Sequence, residues 1–373
     1  MSDVLIKEVK SKKELKQFVD FQNILFKGNR YFVPSIKKNV IETFNKKENP
    51  AFDFCDVKLW LAYRGNKISG RIAGIINHAY NAKKNEKYIR FGWLDFTDDK
   101  DILIALINTV ENWGKECGLE KIHGPIGLTN FDPAGVVVEG FEEITTSSST
   151  FNFPYYPKYL EELGFVKEND WVEFHIPVPS KTPEQLSRIA KIVTEKYDLT
   201  IVRPKSMKEL LKYGEGVFNV LNQAYKNLYA VLEFNEKQIQ YYIKKFLPSL
   251  PPRYISIVLM KNEVVAFGIS MPSLSRALQK CRGKLFPFGF YYILKALKKN
   301  HVVDLMLIAV KPELQNKGLN SIMFDELIPK YLEDGIEYVD TNAEMEDNVK
   351  VQSQWKFFEP RLTKRKRSYV KTI

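Results

Sequence analysis

The stretch Asp304-Leu-Met-Leu-Ile-Ala-Val310 is followed directly by Lys311-Pro-Glu-Leu-Gln-Asn-Lys-Gly-Leu-Asn320 and then by Ser321-Ile-Met-Phe-Asp-Glu-Leu-Ile-Pro-Lys-Tyr-Leu332. The first segment is a short, largely apolar run, which is typical of a buried strand. In the third segment apolar residues recur at helical spacing. A polar loop with Gly318 that joins a strand to a helix presents backbone N–H groups and a helix dipole to an anion. The sequence therefore predicts a binding site for a phosphorylated molecule at this loop.

The same arrangement of elements occurs twice along the chain. Ser11 and Ser206 each open a Ser-x-x-Glu capping box after a short strand. Residues 60–73 match residues 257–268 as strand, tight turn and strand. Later, Gly118 and Gly335 each end a helix before a strand. Three matches in the same order predict tandem copies of one domain.

The positions of these matches give the domain boundaries. We expect an N-terminal domain at residues 1–180, a linker at 181–197 and a C-terminal domain at 198–373, each of ordinary size. The second copy is longer, and the extra residues fall in an insert at about 273–300. Residues 273–299 carry seven cations, many aromatic residues and no acid. Such a segment can lie on an anionic membrane or wall a tunnel for an apolar substrate. The alternative is a surface helical hairpin that packs on the sheet and has solvated lysines.

The pattern Gln315-x-x-Gly318 between a strand and a helix resembles the pyrophosphate loop of the GNAT superfamily of acyl-CoA N-acyltransferases. The usual pattern is Gln/Arg-x-x-Gly-x-Gly/Ala, and here Asn320 stands at its last position. Residues 338–342 look like the next strand of that fold. Residues 348–355 look like its Asn-x-x-Ala-x-x-x-Tyr helix, with Trp355 where many members have a Tyr general acid. An indole has no useful acidic proton at neutral pH, so the resemblance leaves that role vacant.

The resemblance implies an α+β (α/β mixed-sheet) fold made of two tandem GNAT-like domains. The Gly124-Pro125, Gly140-Phe141 and Tyr155-Tyr156 pairs resemble an uncharacterised bacterial family of tandem GNAT-like proteins. The first copy has no Gln-x-x-Gly loop, and aspartates crowd residues 97–101 at the start of its helix. Carboxylates there satisfy the helix N–H groups and repel pyrophosphate. We therefore expect only the second copy to bind CoA.

By the same resemblance, acyl-CoA or acetyl-CoA is the co-substrate, its pantetheine pairs with the strand after Met306, and its pyrophosphate rests on the following loop. The implied cofactor-binding residues are Leu307, Ile308, Ala309, Val310, Gln315, Asn316, Lys317, Gly318, Leu319, Asn320 and Asn348. The candidate general bases are the carboxylates of Glu344, Glu346 and Asp304, with Glu344 first because it follows the fifth strand, where the central strands of this fold diverge. A solvated acid or a water relay to a backbone carbonyl is the alternative in each case.

The acceptor is expected to be a small-molecule or lipid amine, because the insert is rich in aromatic residues and cations. Candidate substrate-binding residues are Asn130 and Asp132 in the first copy, for which an ordinary Asn/Asp/Pro turn is the alternative, together with Trp355. The hypothesis is therefore an acyl-CoA-dependent N-acyltransferase with a long-chain donor or a lipid-like acceptor. Its rivals are an aminoacyl-tRNA-dependent transferase and a catalytically degenerate binding or sensor protein.

Composition restricts the other classes. The formal net charge of +11 favours anionic partners, among which we expect CoA and a membrane surface rather than nucleic acid. The four histidines show no metal-ligand spacing, so no metal is expected. Three distant cysteines indicate reduced thiols, and no signal peptide or apolar run of about 20 residues is present. We expect a cytoplasmic protein, peripheral to the inner face of the membrane if the insert binds lipid.

Overall fold

The computed structural model describes residues 3–373, apart from the side chain of Lys350. The chain divides into two compact units. Unit 1 comprises the described part of Met1–Val172 together with Ser275–Phe290 and Lys364–Ile373. Unit 2 comprises Glu173–Leu274 and Tyr291–Thr363. Each unit therefore contains segments from both halves of the sequence.

The strands are β1 (Val4–Glu8), β2 (Cys55–Arg64), β3 (Lys67–Asn77), β4 (Tyr88–Phe96), β5 (Lys121–Gly124), β6 (Val136–Glu139), β7 (Val166–Pro177), β8 (Leu199–Val202), β9 (Ile255–Met260), β10 (Glu263–Pro272), β11 (Val302–Val310), β12 (Tyr338–Thr341), β13 (Glu344–Met345) and β14 (Arg361–Thr372).

The α-helices are α1 (Lys12–Leu25), α2 (Lys37–Thr43), α3 (His78–Lys84), α4 (Lys100–Glu116), α5 (Tyr155–Glu162), α6 (Glu184–Lys196), α7 (Met207–Leu211), α8 (Gly214–Tyr225), α9 (Glu236–Phe246), α10 (Ser275–Cys281), α11 (Gly289–Lys298), α12 (Leu319–Glu333) and α13 (Val349–Gln352).

Unit 1 is a mixed sheet built around the helix α4. Its strands run in the order β1-β2-β3-β4-β5-β14, and only the β4–β5 pair is parallel. The buried residues Ile102, Leu106 and Val110 recur along α4 at helical spacing and join the main hydrophobic core of this unit. The carboxylate of Asp99 caps α4 by accepting a hydrogen bond from the N–H of Asp101.

Unit 2 repeats this plan. Its strands run in the order β8-β9-β10-β11-β12, followed by the part of β7 after Val172, and only β11 and β12 are parallel. The helices α6 and α12 pack together against β8–β11 through a shared apolar cluster. The Ser11 capping box forms as expected. Ser206 also caps its helix, although the Glu209 carboxylate bonds the N–H of Lys205 instead. The mixed α/β fold expected from the sequence is confirmed.

The two copies exchange their closing strands. In unit 1 the neighbour of β5 is the end of the chain, with Tyr369 opposite Gly124 and Thr372 opposite Lys121. In unit 2 the neighbour of β12 is the end of β7. Tyr369 is fully buried in the core of unit 1. Each copy is thus completed by a strand that belongs to the other copy in sequence.

The basic strand β14 and the expected linker are both integral parts of the fold. The strand β14 is an inner strand, and Lys364 and Lys366 are buried. The Lys364 ammonium donates to the carbonyls of Glu143 and Ile144, at 2.6 and 3.0 Å. The segment 181–197, expected to be a linker, contains α6, whose residues Leu186, Ala190 and Val193 are buried. The overall domain boundaries stay a prediction.

The insert forms α10 and α11 in the connection from β10 to β11. The helix α10 is anchored in unit 1, because the side-chain amide of Gln279 donates to the carbonyls of Arg30 and Phe32. The carbonyl of Gly283 also accepts from the N–H of Lys37. Several large apolar residues of the following segment are exposed instead: Phe286, Phe288, Phe290, Tyr291, Tyr292 and Leu294. Of the expected surface hairpin, α10 is therefore packed, whereas the segment from Phe286 to Leu294 leaves most of its large apolar side chains exposed.

Deleting Lys364–Ile373 should unfold unit 1 rather than the neighbouring part of the sequence in unit 2. The deletion removes the partner of β5 and the buried ring of Tyr369, so their hydrogen bonds and apolar burial are lost. Amide hydrogen exchange should show loss of protection in β4 and β5, with β9 and β10 still protected. Retained protection in β5 would contradict the strand exchange.

Candidate active site

The parallel strands β11 and β12 separate near the middle of β11. Their pairing runs from Val302 opposite Tyr338 to Leu305 opposite Thr341, where β12 ends. Beyond that point Asn342 bridges the strands, with its N–H donating to the carbonyl of Leu305 (3.1 Å) and its side-chain amide to that of Met306 (2.8 Å). The strand β11 continues to Val310, paired with β10 along its other edge. The residues 307–310 thus extend past the end of β12.

The loop after β11 has the geometry of a helix N-terminal anion site. Asn316 and Gly318 both have positive φ, and α12 begins at Leu319 directly after Gly318. The first N–H groups of α12 therefore have no acceptor within the helix. Lys317 is exposed beside them. The side-chain amide of Asn320, at the position that departs from the GNAT pattern, donates to the Gln354 oxygen at 3.1 Å.

Gly318 is packed against α6. A Cβ at this position would lie 2.8 Å from a methyl group of Ile189 and 3.2 Å from one of Val193. Together with its φ of 86°, this contact makes any larger residue strained here. A substitution of Gly318 would therefore disturb folding as well as binding, and Lys317 offers the cleaner test of the loop.

Glu344 is a mostly buried carboxylate just after the point where the strands part. Both of its oxygens accept from the indole N–H of Trp355, at 3.1 Å each. Burial raises the pKa of Glu344 from its ordinary value to about 7, and the Trp355 hydrogen bond only partly opposes this rise. A carboxylate with such a pKa can accept a proton near neutral pH. Trp355, which replaces the usual Tyr, thus orients the candidate base.

Tyr225, at the end of α8, was not identified from the sequence. Its hydroxyl donates to the carbonyl of Ile308 in the extended part of β11, at 3.2 Å. Burial, followed by the negative charge of Glu344, raises the pKa of Tyr225 to about 12. A phenol with this pKa stays protonated at neutral pH and can act as a hydrogen-bond donor. Nothing in the local sequence around Tyr225 links it to Glu344, since the contact depends on tertiary packing.

The other expected residues have structural roles or lie elsewhere. Asn348 caps α13, because its side-chain oxygen accepts a hydrogen bond from the N–H of Val351. Glu346 is half-buried, and its backbone carbonyl accepts from Gln352. Asp304 is buried in the paired part of β11, before the strands separate. Catalytic or cofactor roles for these three residues stay predictions.

A histidine–carboxylate pair occurs next to this region. Nδ1 of His175 lies 2.5 Å from a carboxylate oxygen of Asp340, and the imidazole stacks on Tyr338 at 4.4 Å between ring centroids. His175 is on β7 and Asp340 on β12, opposite each other in the sheet. The sequence contained no signal for the pair because the two residues are brought together only by the exchanged strand.

In unit 1 the corresponding strand end is closed by side chains. The hydroxyl of Tyr155 donates to the carbonyl of Phe96 at 2.7 Å, and the N–H of Phe96 donates to the hydroxyl of Tyr156 at 3.0 Å. Asp99 occupies the start of the following helix and pairs with Arg64. The groups that would hold pantetheine and pyrophosphate are therefore engaged internally, which supports the expectation that unit 1 binds no CoA.

The candidate acceptor residues Asn130 and Asp132 also lie in unit 1. The carboxylate of Asp132 accepts from the N–H and the hydroxyl of Thr129, at 2.9 and 3.3 Å, so it stabilises its own turn. Asn130 is half-buried in the same turn. This geometry fits the ordinary-turn alternative, and a substrate role for either residue stays a prediction.

No family model matches the chain. The chain is 24% identical to protein YghO of Escherichia coli over 322 residues, which are 86% of this chain and 82% of that protein. It is 23% identical over 317 residues to the bacterial ceramide synthase of Caulobacter vibrioides, covering 84% of this chain and 82% of the synthase. Among solved structures, a tandem GNAT protein from the clavulanic acid biosynthesis pathway matches with a TM-score of 0.56 and 12% identity, over 99% of this chain and 98% of that one.

These similarities show the fold: the chain has a tandem GNAT fold, as the loop at Gln315–Gly318 predicted. More particularly, it resembles a tandem GNAT protein in fold over nearly the whole of both chains, and it is similar in sequence to protein YghO and to the bacterial ceramide synthase over more than four fifths of each. The GNAT fold is one that binds acyl-CoA or acetyl-CoA. In the part of the chain that the structure describes, no helix is long and apolar enough to cross a membrane.

Proposed function

We propose that the protein is an acyl-CoA-dependent N-acyltransferase that acts on a lipid-like primary amine. The observation that carries the proposal is the position of Glu344. A half-buried carboxylate with a pKa of about 7 follows the point where β11 and β12 part, in the same unit as a strand–Gly-loop–helix anion site. An acyl transfer from a thioester needs both features: a base that deprotonates the amine and a site that binds and positions the acyl-CoA.

The donor would be held along β11 and the loop after it. In this proposal the pantetheine amides pair with Leu307–Val310, and the pyrophosphate lies on the N–H groups of Gln315–Asn320 with Lys317 adding charge. The carbonyl of Ile308 already accepts from Tyr225, but a carbonyl oxygen can accept a second hydrogen bond. Asn348 would lie near the pantetheine arm.

The reaction follows from the arrangement around Glu344. The ionised carboxylate removes a proton from the amine as its nitrogen attacks the thioester carbonyl carbon. The tetrahedral intermediate then collapses, the C–S bond breaks, and the CoA sulfur leaves as a thiolate that takes up a proton from solvent. Tyr225 is protonated at neutral pH, and its hydroxyl would have to turn from the carbonyl of Ile308 to donate to the developing oxyanion. Trp355 keeps the Glu344 carboxylate oriented throughout.

A lipid-like acceptor is supported by two separate observations. One of the relatives is a bacterial ceramide synthase, and the making of a ceramide is the N-acylation of a long-chain amine. The segment 284–299 presents exposed aromatic rings among lysines and contains no acid. A membrane with anionic lipids would attract the lysines and accept the rings at its interface. The protein would then take its amine from the cytoplasmic membrane surface as a peripheral enzyme.

A second candidate is a degenerate acyl-CoA-binding protein. The observation that favours it is Trp355, which stands where many GNAT proteins have a Tyr general acid and whose N–H occupies both oxygens of Glu344, the first candidate base. Binding of CoA without turnover, across short- and long-chain amines, would favour this candidate.

Lys317→Glu should weaken the binding of CoA at least about tenfold, since a favourable charge on the pyrophosphate is replaced by a repulsive one. Isothermal titration calorimetry at fixed ionic strength measures this directly. Lys208→Glu is the matched control, because Lys208 is also exposed in unit 2 but lies on α7. Equal affinities for CoA in the two variants would contradict the assigned loop.

Salt-sensitive binding of tRNA, together with no binding of CoA, would favour the alternative of an aminoacyl-tRNA-dependent transferase.

Glu344→Gln should lower kcat by about 10²–10⁴-fold, the range that general-base catalysis contributes. The wild-type rate should fall as the pH drops below about 7, because Glu344 becomes protonated there. The variant should lose this pH dependence.

The free energy of unfolding of Glu344→Gln, compared with that of wild type, is the control for this prediction. The pKa of Glu344 is higher in the fold than in the unfolded chain, so the ionised group destabilises the fold progressively as the pH rises from about 4.5 through 7. At pH 8 the Gln variant should therefore be more stable than wild type, by up to about 3 kcal/mol. An active Gln variant, or one that is merely unfolded, would remove Glu344 from the mechanism.

The double variant Phe286→Ser and Phe288→Ser should bind vesicles at least about tenfold more weakly than wild type, because two rings that are 79% and 74% exposed could no longer enter the interface. Co-sedimentation with vesicles of phosphatidylcholine and phosphatidylglycerol measures the loss. Val349→Ser is the control, since Val349 is 70% exposed but lies outside the insert. Binding that is equal for all three proteins, or absent for wild type on anionic vesicles, would contradict the membrane contact.

A further inference from the structure

A narrow apolar cavity lies in unit 2 between α12 and the sheet. Its volume is about 30 Å³. It is lined by Gly268 of β10, by Leu305 and Ile308 of β11, and by Met323 and Leu327 of α12, with other apolar side chains of unit 2. The cavity belongs to the unit that contains the anion-binding loop, and the mechanism described above does not use it.

The side chains that line the cavity favour a hydrocarbon ligand. Two rings of the lining carry polar groups, and both are engaged. The Tyr331 hydroxyl lies 2.6 Å from the hydroxyl of Ser270, and the Trp355 N–H donates to Glu344. Water inside an apolar cavity without free polar partners is unfavourable, so such cavities stay dry and take apolar ligands.

The cavity reaches the place where the strands part. Leu305 is the last residue of β11 that pairs with β12, and Ile308 belongs to the stretch proposed to hold the pantetheine. Trp355 contributes to the lining and at the same time binds Glu344. A chain that leaves the reacting carbonyl on this side of the sheet would therefore enter the cavity directly.

We propose that this cavity receives the hydrocarbon chain of the donor acyl-CoA, so that the protein uses medium- to long-chain thioesters. The inference rests on the proposed function. At its present volume the cavity holds little more than a water molecule, so a chain enters by displacing side chains. Met323 and Leu327 are suited to this, because Met is unbranched and adapts to irregular spaces and Leu changes rotamer. Each methylene group buried should increase affinity about fourfold.

Gly268 provides a direct test. A Cβ here would lie 3.5 Å from the Met323 sulfur and 3.6 Å from a Leu327 methyl, which is ordinary contact. Gly268→Ala should therefore fold normally, whereas Gly268→Leu fills the cavity. Calorimetry with CoA and with acetyl-, octanoyl- and palmitoyl-CoA, kept below micelle-forming concentrations, compares the two variants with wild type.

In wild type the affinity should rise at least about tenfold from acetyl- to octanoyl-CoA. Gly268→Leu should abolish this rise without changing the affinity for CoA, and Gly268→Ala should reduce it. Leu327→Ala, which enlarges the cavity, should shift the preference to longer chains. Ile192→Phe is the control for added bulk, since Ile192 is 51% exposed on α6.

An unchanged chain-length dependence in Gly268→Leu overturns the assignment. The cavity could instead hold the hydrocarbon chain of the amine acceptor, and a turnover assay with amines of graded chain length tests this. If Gly268→Leu loses selectivity for the amine chain but keeps selectivity for the acyl chain, the donor assignment is overturned. Displacement of a bound fluorescent fatty acid tests, without any CoA, whether the cavity binds a hydrocarbon chain. If wild-type protein binds no CoA, the proposed function fails, while loss of fatty-acid binding in Gly268→Leu would still support the cavity.

Discussion

The separation of β11 and β12 depends on Asn342. Parallel strands normally continue their ladder as far as both extend, but here the backbone and side-chain amides of Asn342 take the carbonyls of Leu305 and Met306. The ladder ends there, and β11 continues alone to Val310. The remaining features of the site follow from this single termination. It leaves residues 307–310 of β11 without β12 beside them, and Glu344 follows in the next segment of chain, bound by Trp355.

The two copies use one architecture for different purposes. In the first copy, Tyr155 and Tyr156 bind the backbone polar groups at the end of β4. A buried ion pair is formed by Asp95 of the same strand, to which Arg71 donates at 2.6–2.7 Å. Burial still raises the pKa of Asp95 to about 6, despite the adjacent guanidinium. In the second copy the carboxylate of Glu344 is bound by an indole and forms no ion pair with any of the side chains that the structure describes. The cleft of the first copy is thus filled by side chains, whereas that of the second copy contains Glu344 with a raised pKa. Residues with strongly shifted pKa values are concentrated at functional sites.

Much of this could be predicted from the sequence because it is encoded locally. The strand, the Gly loop and the helix from Asp304 to Leu332 lie in one continuous segment, and the repeat of Ser11 at Ser206 marks equivalent helix starts. Glu344 was chosen for its place after a strand, and its role as a base stays a prediction, although its partial burial raises the pKa to about 7. What was missed depends on contacts between distant segments. Tyr225 reaches β11 from α8, His175 meets Asp340 through an exchanged strand, and Gly318 is constrained by a helix that resembled a linker. None of these relationships leaves a periodicity or a spacing in the sequence.

The exchange of closing strands also has a consequence for biosynthesis. The ribosome makes the chain from its N-terminus, so the first copy emerges complete in sequence yet without the strand that its sheet requires. Its core, including the place of Tyr369, stays open until β14 has left the exit tunnel. Neither copy can then mature as an independent module during translation. A prematurely terminated chain would expose unpaired sheet edges to proteases and chaperones, and the duplicated halves could not be separated again by a simple division of the gene.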